Sequence, residues 1–171
     1  MMVSRVVRLK WTLAALAVFI VQTTLTFFGI PLSLGIALVY AFLLKTLYEQ
    51  AKVSEYRGMQ AELKGTAFGM GTGMVEDLLA GSIVGPGIFS KGLIGFAGAA
   101  LFSDAILRWS PLVGAVLISV MTLMDGLLIM LLRILFSETQ INRADALFAL
   151  SIQMLINIPF GLLLKPRSET P

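Results

Sequence analysis

A chain of 171 residues that is 57% hydrophobic and only 13% charged carries about half the charge of a soluble domain, in which about a quarter of residues are charged. A water-soluble fold has nowhere to bury so much apolar surface, and the mean hydropathy of +0.90 makes the same point. With no Cys and no His, disulfides, Cys/His zinc sites, thiol nucleophiles, imidazole bases and haem ligation are excluded. The net charge of +3 is spread between apolar stretches and makes no footprint for nucleic acid.

Crossing about 30 Å of hydrocarbon takes about 20 mostly apolar residues, and nearly the whole chain divides into such stretches. The first, residues 11–30, follows Arg5, Arg8 and Lys10 and outwardly resembles a secretory signal. It is longer than a signal's apolar core of about 7–15 residues and no small-residue cleavage site follows, so an uncleaved first helix is expected. Pro31 marks a turn into a second span, 32–48, and residues 49–64 are the one extended polar stretch, a surface helix or loop of alternating charge. A third span covers 65–79, a glycine-rich turn covers 80–87, and a fourth span runs over 88–107. Pro111 opens a fifth, 111–136, and after the polar segment 137–145 a sixth covers 146–164, ahead of the tail 165–171. The expected fold is a single all-α integral membrane domain of six transmembrane helices. Gly29 and Pro31 alone divide the first pair, so one bent element is the alternative there.

Cytoplasmic segments carry an excess of Lys and Arg. With both termini inside, Arg5, Arg8, Lys10, Lys45, Lys52, Arg57, Lys64, Arg108, Lys165 and Arg167 fall on the inner side, and only Lys91, Arg133 and Arg143 on the other. The charge distribution thus favours six spans with N-in, C-in topology.

In the third span Gly65, Gly69, Gly73, Asp77 and Gly81 recur every four residues, along one slowly winding helix face. Small residues at i and i+4 let helix backbones approach closely in a membrane. The fourth span carries Gly92, Gly95, Gly98 and Ala99, so these two helices are expected to cross in tight contact. The run Gly69-Met70-Gly71-Thr72-Gly73 is no nucleotide loop, since no strand precedes it and no Gly-Lys-Ser/Thr follows. Glu76, Asp77, Lys91 and Asp125 all fall in the outer half of the bundle. Charges in the bilayer normally face inward and find partners, and Lys91 paired with Asp77 or Asp125 is the natural arrangement. A proton or ion relay needs ionisable groups continuing to the inner face, which are lacking, so a polar tie between helices is the better reading. Asp104, Arg108 and Glu62 read as interfacial charges. Asn157 and Pro159 interrupt the sixth span and predict a kink. The nine Met, with Phe27, Phe28, Phe68, Phe96 and Phe136, form no stripe and read as lipid contact and filler.

Gly69-x3-Gly73-x3-Asp77-Leu78-Leu79-Ala80-Gly81-x3-Gly85, followed by Ser90-Lys91 and Gly95-Phe96, resembles the rod shape-determining protein MreD family. Met124-Asp125-Gly126-Leu127, Asn157 and Pro159 extend the likeness, which covers about two-thirds of the chain from Gly65 onward. Two departures stand out: Pro31-Leu32-Ser33 lacks the acidic residue that often follows the family's proline there, and Glu76 doubles a position that usually carries one carboxylate. The resemblance implies a non-enzymatic subunit of the bacterial inner membrane, without cofactor, that binds the bitopic protein MreC. Through MreC it would connect MreB filaments to the glycosyltransferase RodA and its transpeptidase in peptidoglycan synthesis. It also implies a fold similar to the substrate-binding (S) components of energy-coupling-factor (ECF) vitamin transporters.

Such a transporter component is the chief alternative, but the Ala-x3-Ala that its family commonly shows in the first span is missing: Ala14, Ala15 and Ala17 are followed four residues on by Val18, Phe19 and Val21. A membrane-embedded enzyme is a third reading that lacks an assembled nucleophile and base or a metal-binding carboxylate pair. The mechanistic expectation is that the face of Gly69 and Gly73, held by Asp77, Lys91 and Asp125, shapes a cavity or groove that a partner's transmembrane helix contacts.

Overall fold

The computed structural model describes residues 17–22, 33–53, 60–81, 84–101, 108, 110–136 and 143–165, and all regular structure among them is helical. Residues 17–22 are helical; the rest of the expected first span lies outside the described residues. Five longer helices follow: α1 (Gly35–Val53), α2 (Gln60–Leu79), α3 (Pro86–Ala100), α4 (Pro111–Phe136) and α5 (Arg143–Leu163).

The segment Gly35-Ile-Ala-Leu-Val-Tyr-Ala-Phe-Leu-Leu is apolar around its whole circumference, the pattern of a helix enclosed by others. Accordingly α1 is the core element: Ile36, Val39, Tyr40 and Leu43 are fully buried, and α1 touches each of the other four helices. Ile94 from α3 and Leu117, Ile118 and Met121 from α4 complete the core. Phe68, half-buried on α2, packs against this core and stacks on Phe42 with ring centroids 4.1 Å apart. It is therefore interior rather than lipid-facing filler, whereas Phe96 and Phe136 are exposed.

Prolines start α3 and α4, where the missing N–H costs nothing and the fixed φ suits the first helical turn. Ser110 caps α4, its hydroxyl accepting a bond from the Val113 N–H at 3.2 Å. At the end of α2, Gly81 has a φ of +59°, the left-handed conformation common just after a helix, and its N–H reaches the Leu78 carbonyl. This corrects the placement of Gly81 on the packing face: it lies beyond the helix, and a Cβ added there would meet nothing within 4 Å.

Helix ends also depart from the expected spans. α2 starts at Gln60, so Glu62 and Lys64 belong to the helix rather than to the polar connection. Among the described residues, two stretches, Pro111–Phe136 and Ala144–Leu163, are long and apolar enough to cross a membrane. α1 carries Lys45, Glu49 and Lys52 in its last turns, and α2 carries Glu62, Lys64, Glu76 and Asp77. α3 has 15 residues, about 22 Å at 1.5 Å per residue; residues 102–107 of the expected fourth span are outside the described residues. Pro159 sits inside α5 and the helix continues through it to Leu163.

Candidate functional site: a polar hub joining five helices

The antiparallel pair α2–α3 sets the site. A Cβ on Gly69 would collide with the Lys91 carbonyl oxygen, one on Gly73 with that of Gly87, and one on Gly95 with that of Gly65. Three contacts four residues apart on each helix bring the backbones together along the whole crossing. Gly92 differs, since its Cβ would meet the Met70 side chain, with Cγ at 2.6 Å. The face of Gly65, Gly69 and Gly73 is thus filled by α3 of the same chain and leaves no groove there for a partner helix. Gly71, one of the same glycine run, faces open space.

This close approach delivers Lys91, which is completely buried, between two carboxylates from neighbouring helices. Its ammonium lies 2.5 Å from Glu76 Oε2 on α2 and 3.1 Å from Asp125 Oδ2 on α4. The side chains of Glu76 and Asp125 are themselves only 10% and 3% exposed. Glu76 also accepts bonds from the Gly35 N–H at 3.1 Å and the Ser33 hydroxyl at 3.3 Å, and Asp125 accepts one from Ser90 at 2.6 Å. Removing one member of such a buried ion cluster strands the others at a cost of about 3–5 kcal/mol.

Asp77 does not pair with Lys91. Its carboxylate accepts the N–H groups of Gly85 at 2.9 Å, Gly87 at 3.1 Å and Ile88 at 3.3 Å, so it sits on the positive end of α3. Gly87 is needed there because a Cβ would lie 2.5 Å from Asp77 Oδ1. One carboxylate at the end of α2 thereby sets where α3 begins.

Asn157 on α5, also fully buried, donates to the Thr122 hydroxyl on α4 at 3.0 Å and to the Ser33 carbonyl at 3.4 Å, while its Oδ1 has no partner among the described residues. It therefore ties α5 to α4 and to the start of α1 rather than repairing the bond lost at Pro159. Ser90 entered the sequence reading only through the Ser90-Lys91 likeness, and Ser33, Gly35 and Thr122 are the members of the hub to which it gave no role. Gly35 alone left a signal, as a glycine at a helix start, where a Cβ would stand 2.9 Å from Lys91 Cε.

Above the hub lies a cavity of about 500 Å³, whose lining includes Gln22, Glu76, Asp77, Asp125, Arg133 and Gln153. Its remaining walls are largely apolar, from Leu79, Ile129, Met130 and Leu150. Among the described residues no group of three or more His, Cys, Asp and Glu side chains is placed to hold a metal ion. Comparisons of the chain with protein-family models, with curated proteins and with solved structures give no match.

Proposed function

We propose that this chain is a multi-pass protein of the bacterial inner membrane, N-in and C-in with six spans, that serves cell elongation as MreD does: without catalysis, by binding MreC and helping couple MreB filaments to RodA and its transpeptidase. The observation that carries the membrane part of this reading is an inverted distribution of side chains. Lys91, Asp77, Asp125 and Asn157 are buried, while Leu112, Phe136, Phe148, Leu155 and Leu163 are each more than 60% exposed. A protein in water does the reverse, and exposed apolar surface on this scale marks contact with lipid or with other proteins.

The shape-determining role rests on the resemblance of the Gly69-Gly73-Asp77 and Ser90-Lys91 segments and of Asp125. In the fold these residues serve backbone contact, helix capping and interhelical ion pairing, which suits a scaffold. The test is replacement of MreD in rod-shaped cells depleted of it: the chain restores rod shape and copurifies with MreC. Round cells together with absence of MreC from the purified chain overturn the proposal.

The cavity favours a second reading, a substrate-binding component of an ECF vitamin transporter, since a volume of about 300–1,000 Å³ with a few convergent polar groups suits a small ligand. Stoichiometric copurification of a vitamin together with energy-coupling subunits decides for it.

A further inference from the structure

The charges around the cavity do not balance. Lys91 answers only one of its two carboxylate neighbours, Glu76 and Asp125, and Asp77 adds another anion. The backbone N–H groups of α3 offset Asp77 in part, because a helix N-terminus carries about half a positive charge. What remains is a negative floor with little access to water, a setting in which an added cation is stabilised. Arg133, by contrast, lines the cavity from its exposed side and makes no ion pair among the described residues.

Asp125 and Arg133 are eight residues apart on α4, about 12 Å along the axis at 1.5 Å per residue. Both side chains line the same cavity, so Arg133 and Asp125 face one space from positions about two helical turns apart. The cavity therefore offers anions at one end, a guanidinium at the other and apolar walls of Ile129, Met130 and Leu150 between. A guanidinium favours planar anions such as phosphate or carboxylate.

From this arrangement we propose that the cavity is a binding site for a zwitterionic headgroup bearing a primary ammonium and a phosphate, of the phosphatidylethanolamine type. The ammonium faces Glu76, Asp77 and Asp125, the phosphate faces Arg133, and attached apolar chains follow the apolar wall. The inference rests on the membrane reading above and not on the shape-determining role. The same headgroup chemistry is presented by an intact lipid and by its soluble glycerophosphoethanolamine fragment.

The test uses the full chain, purified and placed in bilayer discs of equal parts phosphatidylethanolamine, phosphatidylcholine and phosphatidylglycerol, with the retained lipid counted by native mass spectrometry. The wild type retains phosphatidylethanolamine in preference to both others, because choline has no N–H to donate and glycerol no cation. Arg133→Gln, at an exposed position, weakens retention about tenfold, the loss of one charge-assisted contact. Ala149→Trp, which fills the cavity, abolishes it with helical content unchanged. Calorimetry with glycerophosphoethanolamine separates the sources: heat of binding assigns the site to a soluble headgroup, and retention of lipid without such heat assigns it to the intact lipid. Neither retention nor heat, equal retention of all three lipids, or unchanged retention in Arg133→Gln overturns the proposal. Selective retention by a chain that fails to restore rod shape upholds this site while overturning the shape role, so the two fail separately.

Discussion

The two antiparallel pairs, α2–α3 and α4–α5, solve the same packing problem differently. In α2–α3, backbone meets backbone at Gly65–Gly95, at Gly69 against Lys91 and at Gly73 against Gly87. In α4–α5 the glycines differ from end to end: a Cβ on Gly161 would strike the Gly114 carbonyl, whereas at the other end Gly126 faces the Leu150 side chain. Backbone contact has no adjustable part, whereas a side chain can change rotamer. The cavity lies at the end where α4 and α5 meet through side chains, with Gly126 and Leu150 in its lining. The rigid pair thus fixes Glu76, Asp77 and Lys91, and the adjustable pair supplies Asp125 and the wall beside them.

The harshest way to break this division is at Lys91, which belongs to the rigid pair and reaches across to α4. Lys91→Met leaves Glu76 and Asp125 buried without their cation and lowers stability by about 3–5 kcal/mol, measured by reversible unfolding in detergent micelles. Adding Glu76→Gln and Asp125→Asn recovers much of the loss, since the penalty lies in the stranded charges; no recovery would show that Lys91 acts through packing alone.

A smaller effect separates backbone from side-chain contact. Gly73→Ala and Gly161→Ala, each aimed at a carbonyl oxygen, cost about 1–3 kcal/mol in the same unfolding measurement, the range of overpacked sites. The smallest is expected at the adjustable end. Gly126→Ala displaces only the tip of Leu150 and gains helix propensity of about 0.5–1 kcal/mol, so its net change stays below about 1 kcal/mol. A loss at Gly126→Ala equal to that at Gly73→Ala would erase the distinction between the pairs.

These contrasts also mark what the sequence could express. The face of Gly65, Gly69 and Gly73 is legible because an i, i+4 run of glycines carries both position and consequence in one helix. The same period overran at Gly81, where helix end and repeat coincide; a glycine just past the last helical residue was the local sign of a cap. That Lys91 would seek carboxylates followed from the cost of burying it, but choosing Glu76 over Asp77 required knowing that the N–H groups of Gly85, Gly87 and Ile88 at the start of α3 come back onto Asp77. Ser33, 43 residues from Glu76, and Asn157, 35 from Thr122, are joined by packing that no local pattern records. The cavity is a property of the space between helices, and no residue announces it.

The pairing of Lys91 with Glu76 bears on how such a chain would be made. The two partners belong to consecutive helices of one hairpin, only 15 positions apart in the sequence, whereas Asp125 comes 34 residues after Lys91. During synthesis from the N-terminus, Glu76 and Lys91 are both in the chain before Asp125 is added, so the hairpin holds its own ion pair before α4 exists. Asp125 then arrives at a cation already in place and serves as the latch by which the later half of the chain docks on the earlier.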